Sequence, residues 1–196
     1  MTVTVGVACS SDAEADGADP VIDGGASSSG PMRLSPGPGD SSGTRLDIGP
    51  DGRRTYRSNV LRLRNEGDRP IIIEDVEPLS VRSTEFLGAS LMRRSDTHLL
   101  RDDLALFDRS PSPAIAQLRP LATEVASCPV GDDPEWKSAP ECEWALVVDV
   151  RLDEGASQGS VSGFAVSYSD GERSYRTETG FTVGLCGSST RSVGRI

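Results

Sequence analysis

The sequence predicts an all-β fold, an antiparallel sandwich of about seven strands behind a disordered N-terminal linker. Three observations point there. Apolar and polar side chains alternate through Glu143–Leu152. A turn pair, Asp170-Gly171, separates two further alternating runs. The chain before Gly52 is dominated by Ser, Gly, Asp, Ala and Pro.

The strand over 143–152 is the clearest element. Trp144, Leu146, Val148, Val150 and Leu152 fall on one side of an extended chain, because successive side chains point to opposite faces. Val161 to Leu185 reads as a hairpin. Phe164, Val166 and Tyr168 alternate toward Ser169-Asp170-Gly171-Glu172. There Asp-Gly supplies the positive φ angles of a type I′ turn. Tyr175, Phe181, Val183 and Leu185 return at matching parity, and Gly180 marks a bend or bulge. Upstream, Leu61 and Leu63 alternate with Arg62 and Arg64, which form the solvated side of a strand. The turn Asn65-Glu66-Gly67-Asp68-Arg69-Pro70 then leads into Ile71-Ile72-Ile73. Glu85–Arg93 and Leu118–Ala126 complete the set. Short hairpins are the expected links, since no βα alternation exists. Asp96–Phe107 is the exception. Leu99, Leu100, Leu104 and Phe107 recur at near-helical spacing, with Asp96 as an N-cap, so a short helix or covered loop is expected.

Bulk properties narrow the function. The 196 residues fit one domain and a tail. The net charge of -10 argues against nucleic acid, whose phosphates demand a basic surface. No apolar run approaches the roughly 20 residues of a membrane-spanning helix. Lys137 is the only lysine, and the arginine-, glycine- and alanine-rich composition suits a high-GC bacterial genome.

Two short stretches resemble known families. Val7-Ala8-Cys9 is similar to the lipobox of bacterial lipoproteins, with Gly6 departing from it. That resemblance implies lipidation of Cys9 and anchorage outside the cytoplasm. The Asn-x-Gly-(two residues)-Pro turn at 65–70 resembles a connection of bacterial immunoglobulin-like and fibronectin-like sandwich domains, and implies that fold. The expected organisation is a signal remnant over 1–9, an acidic linker over 10–51, the sandwich over 52–190 and a tail over 191–196. A chain rich in Ser, Gly and Pro cannot bury enough apolar area to offset its entropy, so the linker is flexible.

The four cysteines are Cys9, Cys128, Cys142 and Cys186. They lack CxxC spacing and have one histidine, His98, to help them, which is a poor zinc set. A Cys128–Cys142 disulfide would close a loop of turn formers. Cys186 could instead pair with either of them, or stay a buried thiol, since sequence does not determine connectivity.

No residue set supports catalysis. Gly155-Ala156-Ser157-Gln158-Gly159 matches a GxSxG elbow in letters only. It joins two expected strands, whereas the elbow needs a strand followed by a helix and a downstream histidine. Met92 and His98 are too few soft ligands for copper. Asp102-Asp103 and Asp132-Asp133 read as solvated loop acids. Asp12 to Gly17, with Asp23 in the twelfth position, mimics a calcium loop, but Pro20 and the lack of flanking helices exclude it. No cofactor or metal is expected. Trp136, between the two loop cysteines, either packs over the sandwich end or anchors a partner.

The expected function is a non-enzymatic, tethered envelope lipoprotein that binds another envelope protein or a glycan and meets the membrane only through its lipid. The alternatives are a secreted hydrolase using Asp102, Asp103 or Asp132, and a cytosolic interaction module with a disordered tail. Reduced cysteines in the cell would favour the last.

Overall fold

A computed structural model of the chain describes residues 30–35, 37, 42–48, 54–97, 116–128 and 142–187. Its described elements are β1 (Met32–Ser35), β2 (Gly43–Ile48), β3 (Thr55–Asn65), β4 (Ile71–Arg82), β5 (Thr84–Arg93), a 3-10 turn (Arg94–Asp96), β6 (Glu124–Val125), β7 (Glu143–Leu152), β8 (Gln158–Ser169) and β9 (Ser174–Gly187). They form two sheets, ordered β1-β3-β7-β5 and β2-β9-β8-β4-β6.

That order is the immunoglobulin arrangement. With β1, β3, β4, β5, β7, β8 and β9 as strands A to G, one sheet reads ABED and the other holds GFC. Six of the expected strands are thus present as B to G; strand A, β1, stands where linker was expected, and β6, from the run expected over Leu118–Ala126, lies with β2 at the two edges of the second sheet. β2 runs parallel to β9, with Leu46 opposite Leu185, while every other named pair is antiparallel.

Alternation becomes burial at the sheet centre. Trp144, Leu146, Val148, Val150 and Leu152 of β7 are all buried. They face Ile71, Ile73, Val161, Phe164, Val166, Tyr168, Val183 and Leu185 from the second sheet. The reverse side of β7 departs from simple alternation, because Ala145 and Val147 are buried too. Arg119 bridges to Leu91 on the outer edge of β5, with reciprocal backbone hydrogen bonds of 2.9 and 2.8 Å. That bridge lays Leu118 over Val147 and Met92.

The structure corrects several expectations. Residues 10–51 do not all read as linker: β1 and β2 lie inside that span. Met32 and Leu34 are buried against the core, and β2 draws its order from pairing with β9. Among the described strands only β8 and β9 form a hairpin. β3 to β4, β4 to β5 and β7 to β8 cross between sheets, since a sandwich buries both inner faces by switching sheets. Leu118–Ala126 yields only a two-residue strand, at Glu124–Val125. Asp96 is no N-cap: it lies within the 3-10 turn, whose cap position is Arg93. Leu99 to Phe107 falls outside the described residues.

The 170–173 turn also differs from expectation. The amide of Asp170 donates to the carbonyl of Arg173 at 3.1 Å, so Gly171 and Glu172 are the central residues. Gly171 has φ +87° and Glu172 is not among the positive-φ residues. A single positive φ, carried by glycine at the first central position, excludes the I′ turn, which needs positive φ at both central residues. The Asp170 side chain sets this register by accepting from the amides of Glu172 at 3.0 Å and Arg173 at 2.8 Å. The bulge expected at Gly180 is present, where Gly180 and Phe181 of β9 oppose Gly163 of β8.

Candidate functional site

The two sandwich ends can be followed from strand direction. β3, β5 and β8 finish at one end, where β4, β7 and β9 begin. The 65–70 turn, the 170–173 turn and the Cys128–Cys142 pair gather there. We call it the cleft end.

Asn65 organises it. The side chain is fully buried, and its Nδ2 donates to the carbonyls of Arg69 at 2.6 Å and Val125 at 3.1 Å. Its Oδ1 accepts from the amide of Gly67 at 3.1 Å. An asparagine can satisfy donors and acceptors together, so one side chain closes the turn and ties it to β6. The Asn65 carbonyl accepts from the amide of Cys128 at 2.8 Å. The Arg64 guanidinium donates twice to the Cys128 carbonyl at 3.2 Å, so Arg64 is a clamp rather than a solvated residue. Ser127 donates its hydroxyl to the Gly67 carbonyl.

Cys128 and Cys142 are disulfide-bonded, with Cα atoms 5.7 Å apart. The connection 129–141, whose structure is not described, is therefore rooted beside the 65–70 turn at both its ends. Trp136 lies in it, outside the described residues. Also outside them are Cys9, His98, Asp102, Asp103, Asp132, Asp133, Lys137 and Asp12 to Asp23.

Between the two turns lies a cleft of about 270 Å³, lined by Pro31, Gly67, Asp68, Arg69, Asp170, Glu172, Arg173 and Tyr175. Arg69 and Glu172 form an ion pair across it. The pair is half-exposed and therefore weak in water. Hydrogen bonding to Glu172, with its charge, raises the Arg69 pKa. Tyr175 donates its hydroxyl to Asp170 Oδ2 at 2.8 Å and stacks on Tyr168, with ring centroids 5.1 Å apart. The two backbone amides, from Arg173 and Glu172, together with the Tyr175 hydroxyl hold the Asp170 carboxyl below its usual range. The same bond to Asp170 raises Tyr175.

This arrangement is suited to recognition rather than proton transfer. Asp170 is stabilised as the anion and is a poor base. The Arg69–Glu172 pair is exposed enough to exchange partners with an incoming polar ligand. No sequence signal pairs Arg69 with Glu172. The Asp-Gly turn and the Asn-x-Gly motif marked the two segments, but not that they meet.

The GxSxG segment lies at the opposite end, in the link from β7 to β8, with Ser157 exposed and no helix after it. Gly159 is there for space. A Cβ on it would stand 2.7 Å from the Ser83 carbonyl and 2.9 Å from that of Arg82. Met92 is fully buried beneath Leu118, as a packing residue.

No protein-family model matches the chain, and no curated protein sequence does. Among solved structures, the ASH / PapD-like domain of human CEP192 (PapD-like domain 7) is similar at a TM-score of 0.34 and 10% identity, over 80% of this chain and 84% of that one. The CooA pilin subunit from enterotoxigenic Escherichia coli is similar at 0.32 and 10%, over 80% of this chain and 97% of that one. Likenesses of this size carry nothing about ligand or partner.

Proposed function

We propose that this protein is an exported, non-enzymatic interaction module that meets its partner, an envelope protein or a glycan, through the cleft end. The observation that supports this most is the Cys128–Cys142 disulfide. It roots the 129–141 connection, with Trp136, next to the two turns that line the cleft. Two turns and both roots of a third loop thus share one end of the sandwich. In immunoglobulin order the 65–70 and 170–173 turns are the B–C and F–G loops, which lie at the binding end of antibody variable domains. This is an analogy of position, not of ligand. A disulfide between residues of one loop also fits a compartment where thiols are not kept reduced. The acidic Ser/Gly-rich residues before β1 would act as a tether, with a reach of roughly 5–6 Å × √n.

The test is site-specific photocrosslinking in the native host. A crosslinker at Glu172 or Trp136 is expected to capture a discrete partner, and one at Val81 on the opposite half is expected to capture none. Arg69→Glu should abolish the capture by placing like charges beside Glu172. Capture only from Val81, or free thiols at Cys128 and Cys142 in protein isolated under acid quench, would overturn the reading.

A further inference from the structure

The outer face of the first sheet carries more cations than its acids engage. Met32 and Leu34 of β1 and Leu61 and Leu63 of β3 point into the core, so period two puts Arg33, Ser35, Arg62 and Arg64 on that outer face. Three acids of the face are each held by another arginine. Asp149 accepts twice from Arg57 at 2.6 Å, Glu143 accepts from Arg94 at 2.6 Å, and Glu85 accepts from Arg151. Arg33, Arg62 and Arg64 are left over, in a chain whose net charge is -10.

These three are neighbours. Arg33 stands directly opposite Arg64 in the register of β1 and β3, and Ser35 stands opposite Arg62. Like charges directly opposite, with Cβ atoms about 5 Å apart, destabilise a strand pair. Their contacts leave the charge in place. Arg64 donates to the Cys128 carbonyl, which is neutral, and its register partner on β7, Glu143, is held by Arg94. Arg33 meets Glu66 at 3.7 Å with its side chain 74% exposed, a contact worth little in water. Arg62 is exposed and has no acidic partner among the described residues. A carboxylate seated among them would offset the repulsion and meet guanidinium groups whose fork matches its two oxygens.

We propose that this face, along β1 and the last residues of β3, docks an acidic segment of a partner polypeptide in extended form, with carboxylates at alternate residues. Spacing supports an extended segment. Arg62 and Arg64 lie two residues apart on one strand, about 6.6 Å, and alternate side chains of an extended peptide repeat at the same distance. Range supports a short acidic segment over a long polyanion or an anionic membrane. The net charge of the chain repels extended anionic surfaces, whereas the three guanidinium groups dominate within about 8 Å, the Debye length at physiological salt. The face adjoins the cleft end but shares no lining residue with the cleft, so the proposal does not rest on the cleft reading.

Titration of the full chain with a capped peptide of alternating Glu and Thr, followed by the arginine Nε–Hε signals, tests it, with the Gln analogue as control. The expected result is binding of the Glu peptide alone, with affinity falling roughly tenfold between about 0.03 M and about 0.3 M salt. Arg33→Glu and Arg62→Glu should each weaken binding by roughly tenfold. Arg176→Glu, on the other sheet, should leave it unchanged. Arg33→Thr should weaken binding and yet keep or raise the denaturation midpoint, because it removes the repulsion from Arg64. An Arg33 that served the fold alone would lower that midpoint when replaced, without changing affinity. No binding at low salt, equal binding of the Gln peptide, or binding that survives Arg62→Glu would overturn the proposal. Binding that Arg69→Glu removes and Arg62→Glu spares would place the peptide in the cleft and overturn it as well. Salt-sensitive self-association that Arg62→Glu abolishes would put a second copy on this face, with the same consequence.

Discussion

The two ends of this sandwich are closed in different ways. At the cleft end, closure is made by side chains: Asn65 with its three hydrogen bonds, Arg64 on the Cys128 carbonyl, Asp170 across its own turn, and a disulfide. At the far end, backbone carries more of the closure, beside two side-chain bonds, from Arg54 to the Asp153 carbonyl and from the Thr84 hydroxyl to the Ser160 carbonyl, both 2.9 Å. Leu152 donates to the Arg54 carbonyl at 2.7 Å and Asp153 to the Ser83 carbonyl at 3.1 Å. The β4–β5 link there is a single residue, Ser83, at φ 50°. Backbone closure is indifferent to side-chain identity and leaves little for a ligand to address. Side-chain closure builds a surface whose charges and shape can vary without moving the strands. That difference is why the cleft end is the better candidate for recognition.

The comparison can be broken by mutation, starting with the largest expected effect. Replacing Cys128 and Cys142 together by serine should cost about 3 kcal/mol in denaturant unfolding, from the chain entropy released in a loop of sequence separation 14. An unchanged midpoint would show that the staple adds nothing beyond the hydrogen bonds at its root. Asn65→Ala should cost about 2–3 kcal/mol, because the carbonyl of Val125 loses its partner in a buried place and the amide of Gly67 in a partly buried one.

At the far end, Gly159→Ala should cost about 1–2 kcal/mol by overpacking against the Ser83 and Arg82 carbonyls. The Asn65 and Gly159 losses should add to within about 0.5 kcal/mol, as expected of sites with no shared contacts. A larger coupling would mean that the ends are not independent.

The smallest effect is one of pH. Asp170 has a depressed pKa, so its contribution is present above the ordinary carboxylate range and is lost as pH falls through its folded value. Acidification should therefore loosen the 170–173 turn below that range. Amide shifts of Glu172 and Arg173 should move with one titration, which Asp170→Asn removes.

Much of the fold was legible in the sequence, for an identifiable reason. β7, β8 and β9 carry long period-two runs, and burial follows them at Leu146, Val148, Phe164, Val166 and Val183. Legibility failed where the period breaks. Between Asn59 and Leu61 the register shifts, so buried positions pass from Tyr56 and Ser58 to Leu61 and Leu63. It failed also for β1 and β2, whose four and six residues are too short to show a pattern against a Ser/Gly/Pro background. Of the cleft end, the Asp170-Gly171 turn, the Asn65 motif and the disulfide were readable one at a time. Their meeting was not, because Arg69 and Glu172 stand far apart in the chain and charge alone does not select a partner.

By itself the sequence determined the all-β class, the three long core strands and the acidic net charge, since these depend on local alternation and on composition. The tertiary structure alone decided which links cross between sheets, where β1 and β2 attach, and which end gathers the loops. Those outcomes depend on how two amphipathic sheets bury their inner faces together, and that is a property of pairs of strands rather than of any one of them.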